Sequence, residues 1–384
     1  MTMHPVSPNT VLANALHHAE DVLTPRILAG PPNGASPARA KPRAWGRIVL
    51  VVGTQINGAP HLGTSLVQSL AFAMAARLRA RFGLPAEVLF SALDNAPYDL
   101  ATDPATGHRY QRAYAQALGD QALTDLVAAL YEPLFTALSR RLGIPFRVET
   151  YTQQQAGEHF RRTWLQVLPR IDAARWWLAP STGTPHIRVP CPHLGCGWAE
   201  KHAERTRVYL VGPDAARVTA VCLHHGPYET TIRPTTGAYL DLATLYRNLV
   251  KELALSSPRG TLHVMVKGGD WVFGSHLVDE ALQAVGLTRA QLPARLFCPQ
   301  IVTDTGAKLS KSLMREGHTP LPDGATAWML DTRQWPGSLP QYAEQLLTLT
   351  ETLLSDPRHF FRSYSAAEIG RMMTAPAPRS VPAP

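Results

Sequence analysis

The stretch from Arg47 to Arg81 limits most what this chain can fold into. An apolar, mostly β-branched run, Ile48-Val49-Leu50-Val51-Val52, ends at Gly53; a loop with Gly58 and Pro60 follows, and a helical pattern runs from about Ser65 to Arg81. The strand, loop, helix order recurs. Glu87-Val88-Leu89-Phe90 reads as a second strand, Arg112–Leu142 carries a helical pattern on either side of Gly119-Asp120, and Arg147–Tyr151 reads as a short strand. After an interruption come a helix near Leu240–Leu255, a strand at Leu262–Val266, a helix at Ser275–Val285 and a strand near Leu296–Val302. Alternation of this kind predicts an α/β fold, a parallel sheet with helices on both faces.

The interruption, about Ala179 to Pro234, has short β-rich pieces, many prolines and a Cys/His cluster, and reads as an inserted module. Residues 1–44 are rich in Ala and Pro, with one short helix expected around Thr10–Val22. The expected division is an arm over 1–44, a first half of the α/β domain over 45–178, the module over 179–234, a second half over 235–318, a short helical region over 319–373 and a disordered tail over 374–384. No internal repeat is present.

At 384 residues, 45% apolar and 17% charged, the chain can bury a full core, and its 33 prolines point to loops and ends. Four cysteines, three of them clustered, read as metal ligands in a reducing compartment rather than a disulfide framework. No run approaches the roughly 20 apolar residues of a membrane helix, and no basic stretch precedes an apolar one at the start, so a soluble cytoplasmic protein without a membrane partner is expected. Of the net charge of +8, residues 1–44 carry +2 and residues 313–384 carry −1, which leaves +7 between them. A mild basic excess there suits phosphate-bearing ligands, although charge alone does not establish nucleic-acid binding.

Two short segments give that excess a purpose. Pro60-His61-Leu62-Gly63-Thr64 lies at the first strand-to-helix turn, and Lys308-Leu309-Ser310-Lys311-Ser312 lies late in the chain. Free N–H groups and the positive dipole end at a helix start favour anionic oxygens, and glycine lets a phosphate approach the backbone. His61 can donate to a phosphate oxygen as charge develops. Lys308 and Lys311 can neutralise a departing pyrophosphate, with Ser310 and Ser312 as hydroxyl donors. No G-x-x-x-x-G-K-[ST] string is present, so the phosphate site is not a P-loop. A third segment, Val266-Lys267-Gly268-Gly269-Asp270, ends a strand; its glycines allow a nucleoside against the backbone and Asp270 can accept both ribose hydroxyls. His276 follows it on the substrate side.

Together, in this order and context, the segments resemble the HIGH and KMSKS motifs and the ribose loop of the class I aminoacyl-tRNA synthetases. The resemblance implies a Rossmann-like (HUP-type) domain that joins a carboxylate to AMP, using ATP and Mg²⁺, with release of pyrophosphate. Thr64 departs from the fourth residue of HIGH. Within that class the chain resembles the class I lysyl enzymes most, with the cysteinyl and arginyl enzymes behind them. The reason is that Phe90-Ser91-Ala92-Leu93-Asp94-Asn95-Ala96-Pro97-Tyr98-Asp99 carries acidic residues after the second strand and a Cys cluster is inserted later. Asp94 and Asp99 are the candidates to pair with a substrate ammonium.

In the module, Cys191-x4-Cys196 and Cys222-x2-His225, each followed by Gly, give two knuckles and four tetrahedral ligands, for which zinc is the natural ion. His193, His202 and His224 are rival ligands. Cys298, in an apolar strand, reads as a buried thiol. The enzymes resembled continue past the second motif into an anticodon-reading domain, whereas 72 residues follow Ser312 here. The expectation is therefore a truncated relative that activates an amino acid and passes the acyl group to a small amine or a carrier protein. Charging of tRNA through its acceptor stem is the rival, followed by a non-catalytic ATP-binding module and a nucleotidyltransferase.

Overall fold

The structure, a computed structural model, describes residues 14–32, 44–256, 260–309 and 321–374. The apolar run becomes β1 (Arg47–Gln55), at the centre of a five-stranded parallel sheet whose other members are β2 (Ala86–Leu93), β5 (Phe146–Thr150), β12 (Thr261–Gly268) and β13 (Ala294–Cys298). Ile48, Leu50 and Val52 face the main core, while Val49 and Val51 pack on the other face with Leu89, Met265 and Leu255 of helix Thr244–Ser256. A strand apolar on both sides is what a sheet covered on both faces requires. The spatial order β13-β12-β1-β2-β5 corresponds to chain order 5-4-1-2-3 among the five, the doubly wound arrangement of Rossmann-like domains.

On the main face lie helix Leu62–Phe82 and helix Asp120–Leu142, locked by Phe135 standing edge-on to Phe90 with ring centroids 4.9 Å apart. Helix Leu339–Leu354 joins them, its buried Thr350 hydroxyl 2.8 Å from that of Ser69. The N-terminal arm is no loose extension in its described part. Ala19, Leu23 and Ile27 are buried in the same core, and Arg26 bonds the carbonyls of Ala290 and Leu292.

Several local expectations change. Of the helix expected over Thr10–Val22, residues up to 13 lie outside the described ones, and the rest forms only a 3-10 turn at Ala19–Val22 before a short helix, Thr24–Ala29. The pattern beginning at Arg112 is not helical at its start: Arg112 lies in β4 (Arg109–Ala113), paired antiparallel with β3 (Pro97–Thr102), and one turn at Tyr114–Ala117 precedes the long helix. Helices Tyr151–Ala156, Glu158–Val167 and Ile171–Leu178, absent from the sequence reading, form a second core around Tyr151 and Trp164. The expected strand near Leu296–Val302 is split, because β13 ends before Pro299, which has no N–H to donate, and Ile301–Val302 pairs instead with Tyr364–Ser365.

Residues 179–234 hold β6 (Ile187–Arg188), β7 (Ala199–Glu200) and an antiparallel sheet of β8 (Arg207–Gly212), β9 (Ala215–Cys222) and β10 (Gly226–Ile232). They are stitched to their surroundings: β7 pairs with β4, and β6 pairs with β11 (Asp241–Leu242). That second pairing also delays the helix expected near Leu240 until Thr244.

Candidate active site

β1 and β12 are neighbours in the sheet but far apart in sequence, so the order of the strands reverses between them. The crevice beyond the carboxyl ends of two such strands is where doubly wound sheets hold ligands. The loop after β1 leads to His61, the N-cap of helix Leu62–Phe82, whose Nδ1 accepts the backbone N–H of Thr64 at 3.4 Å. Gly63 lies close to that imidazole: a Cβ there would stand 3.0 Å from His61 Cε1 and press on the ring. Pro60 is pinned through its carbonyl, which accepts from the N–H and the hydroxyl of Thr332 at 3.0 and 3.1 Å.

β12 ends at Gly268, followed by Gly269 and Asp270. Lys267, one residue earlier, is turned into the protein: its Nζ bonds Glu252 at 2.8 Å, and Arg295 reaches the other oxygen of Glu252 at 2.6 Å. Burial pushes the Glu252 carboxyl up, but the charges of Lys267 and Arg295 outweigh it and hold the group down at about 2. This buried network fixes the strand end from below. Above it, a Cβ on Gly268 would lie 2.5 Å from Asp270 Oδ1, so the carboxylate folds back over a glycine, and Oδ2 takes Lys308 Nζ at 2.6 Å. Lys308 is presented by a tight turn in which Thr303 N–H donates to Ala307 O at 2.7 Å, and Leu309, buried, donates to Ile301 O at 2.9 Å. The remaining residues of that segment, Ser310, Lys311 and Ser312, lie outside the described ones.

Asp94 and Asp99 meet different fates. Asp94, at the carboxyl end of β2, has no exposed surface; it accepts the Thr152 N–H at 3.1 Å on either oxygen and the Tyr239 hydroxyl at 3.2 Å. No lysine or arginine among the described residues pairs with it, and burial pushes its carboxyl up against the hydrogen bonds from Thr152 and Tyr239. Asp99 lies in β3 with its Oδ2 held by Arg112 at 2.8 and 2.5 Å, and the two carboxylates share no partner. His276 is exposed on helix Val272–Ala284.

The sequence reading missed the polar wall beside Asp94. Buried Asp241 takes both Arg188 (2.6 and 3.1 Å) and Asn95 (2.8 Å), and the Tyr151 hydroxyl donates to Leu240 O at 2.7 Å, behind Tyr239. A signal existed: Tyr239-Leu240-Asp241 sets a carboxylate inside an apolar stretch, and Asn95 adjoins Asp94.

In the module, Cys191, Cys196, Cys222 and His225 converge as the spacing predicts. Cys191 Sγ lies 3.4 Å from His225 Nδ1, Cys222 Sγ lies 3.6 Å from it, and Cys196 and Cys222 Sγ are 3.5 Å apart. Tetrahedral zinc with bonds of about 2.3 Å to sulfur and 2.0 Å to nitrogen needs edges of roughly 3.5–3.8 Å, so the four atoms fit that ion. Of the rival histidines, His193 stacks on the His225 ring (4.0 Å, 16°), His202 faces His186, and His224 gives its backbone N–H to Cys222 Sγ. Gly197 and Gly226 both take left-handed φ, and a Cβ on Gly197 would stand 2.7 Å from Gln116 Cβ, so the knuckle seats directly on the hairpin region. In a second cluster, His108 lies between Glu200 (3.1 Å) and Glu204 (3.3 Å), and Arg205, 3.2 Å from Glu200, meets one of the two carboxylates. Cys298 is fully buried and burial pushes its thiol up.

No family model matches the chain and no curated protein sequence matches it. Among solved structures, it is similar to Mycobacterium tuberculosis methionyl-tRNA synthetase bound by methionyl-adenylate, at 13% identity over 85% of this chain and 68% of that one, with a TM-score of 0.42. It is also similar to a glutamate-tRNA synthetase of Elizabethkingia anophelis, at 11% identity over 84% of this chain and 66% of that one, with a TM-score of 0.36. Overlaps this partial carry nothing about chemistry.

Proposed function

We propose that this chain activates an amino acid with ATP, forming an aminoacyl adenylate and releasing pyrophosphate, as the class I aminoacyl-tRNA synthetases it resembles do. The observation that supports it is the crevice itself: His61 and Gly63 follow β1, and Gly268, Gly269 and Asp270 follow β12, at adjacent strands where the order of the sheet reverses, with Lys308 bonded to Asp270.

In this reading the ribose lies on Gly268-Gly269 with its hydroxyls on Asp270. The phosphates lie toward the helix start at Pro60, His61, Gly63 and Thr64 and toward Lys308. Ser310, Lys311 and Ser312 join that role from the sequence alone. An oxygen of the substrate carboxylate attacks the α-phosphorus in line; the bond from that phosphorus to the bridging oxygen breaks, and pyrophosphate leaves with the negative charge. Lys308 and Lys311 meet that charge and His61 donates to the phosphate oxygens. Magnesium on the phosphates would add to the same neutralisation. Asp94, buried and without a cation among the described residues, suits the substrate ammonium, whereas the charge of Asp99 is met by Arg112. Cys191, Cys196, Cys222 and His225 would hold a zinc ion that folds the knuckles and takes no part in the reaction.

The test is pyrophosphate exchange, screened across the amino acids with lysine among them. His61→Ala, Lys308→Ala and Lys311→Ala are each expected to lower it on the order of 10²-fold, the scale of one lost transition-state donor. Full exchange in all three would end the assignment, and ATP binding without exchange for any amino acid would favour a regulatory module. Repeating the screen with bulk tRNA, then with small amines and carrier proteins, separates the acyl acceptors. The zinc reading has its own measurement: elemental analysis should find about one zinc per chain, lost in Cys222→Ser together with several degrees of melting temperature.

A further inference from the structure

The pair formed by Asp270 and Lys308 joins the two groups that the proposed reaction must keep apart. We propose that Asp270 makes the site selective for nucleotides over bare polyphosphates, by holding Lys308 until a ribose takes its carboxylate; this rests on the ATP reading above.

The geometry is one of shared occupancy. Asp270 Oδ2 bonds Lys308 Nζ at 2.6 Å, and Oδ1 is turned back over Gly268, so the carboxylate already has a cation where ribose hydroxyls would bind. Lys308 in turn is fixed at its backbone by the Thr303–Ala307 turn and the Leu309 bond to Ile301, which leaves the side chain free to swing without moving the loop. The two side chains are 40% and 28% exposed, so the pair is weak enough to exchange.

A ligand that offers only phosphate must draw Lys308 away and leave Asp270 as an uncompensated anion beside another anion. A nucleoside triphosphate breaks one pairing and makes two, ribose to Asp270 and phosphate to Lys308. A nucleoside alone must displace the ammonium without offering it a new partner. Recognition of the sugar and release of the phosphate-binding lysine therefore become one event.

The full chain is titrated with ATP, adenosine, 2′,3′-dideoxyadenosine and inorganic tripolyphosphate at one salt concentration. The wild type should bind ATP. Lys308→Met should bind adenosine about two- to fivefold more tightly, the range a partly exposed ion pair carries, with dideoxyadenosine unchanged because it lacks the hydroxyls. Asp270→Asn should bind tripolyphosphate tighter by a similar factor and adenosine more weakly. Lys308→Gln repeats the first arm if the methionine variant melts early. Unchanged or weaker adenosine binding in the lysine variants, or unchanged tripolyphosphate binding in Asp270→Asn, overturns the selectivity role while ATP binding by the wild type leaves the ATP reading intact. A wild type that binds neither ATP nor adenosine overturns both.

Discussion

Asp94 shows how much one position can carry. A carboxylate with no exposed surface and no cation among the described residues is costly to ionise, and the hydrogen bonds from Thr152 and Tyr239 only partly offset that cost. Such a group is tolerated where a ligand supplies the missing charge. Asp94→Asn keeps the shape and most acceptor capacity, so the free protein should melt at the same temperature or higher while the KM for the amino acid rises at least tenfold. The sign with pH follows from the raised folded-state pKa. Ionisation is penalised above it, so any stability gain of the variant should be full near neutral pH and be lost as pH falls through that raised pKa toward the ordinary carboxylate range. Melting curves of both proteins across that range check this. The sequence offered Asp94 and Asp99 as equals, since both follow the second strand. Only the hairpin register, which sets Arg112 beside Asp99, separates them.

Among the elements, β12 decides where the Gly268-Gly269-Asp270 loop sits, and its anchor is ionic. Glu252, fully buried on helix Thr244–Ser256, answers both Lys267 and Arg295, and Asp279 takes Arg295 from the other side at 2.5 Å. Removing one partner of a buried network strands the others without compensation. Glu252→Gln should therefore lose about 3–5 kcal/mol in denaturant unfolding, whereas a loss under about 1 kcal/mol would show the network to be dispensable. Lys267, just before two glycines, is a strut in the fold: strand alternation turns it toward buried Glu252, a partner that nothing in its sequence neighbourhood announces. The Cys/His knuckles are the opposite case. Cys191, Cys196, Cys222 and His225 were legible from spacing alone, because tight turns bring ligands together within each pair whatever the rest of the chain does.

Across the whole molecule, acid sensitivity should trace to His263 on β12. The residue is 9% exposed, its Nδ1 has no partner among the described residues, and burial pulls its pKa down to about 4. The unfolded chain takes up that proton near 6.5 and the folded one only near 4, so stability is full above pH 6.5 and is lost as pH falls toward 4. The shift amounts to roughly 3 kcal/mol. His263→Leu should flatten that limb of a melting-temperature profile between pH 4 and 7, and an unchanged limb would place the sensitivity elsewhere. By itself the sequence determined the alternation of strand and helix, the strand-to-helix turn at His61 and the metal-ligand spacing. Each of these depends on residues within a turn or two of one another, through hydrophobic period and turn chemistry. The tertiary structure alone decided that Lys267 pairs with Glu252, which aspartate lacks a cation among the described residues, and that Asp270 and Lys308 meet. Those outcomes depend on register between segments remote in sequence, where a shift of one residue along a strand turns a side chain to the opposite face.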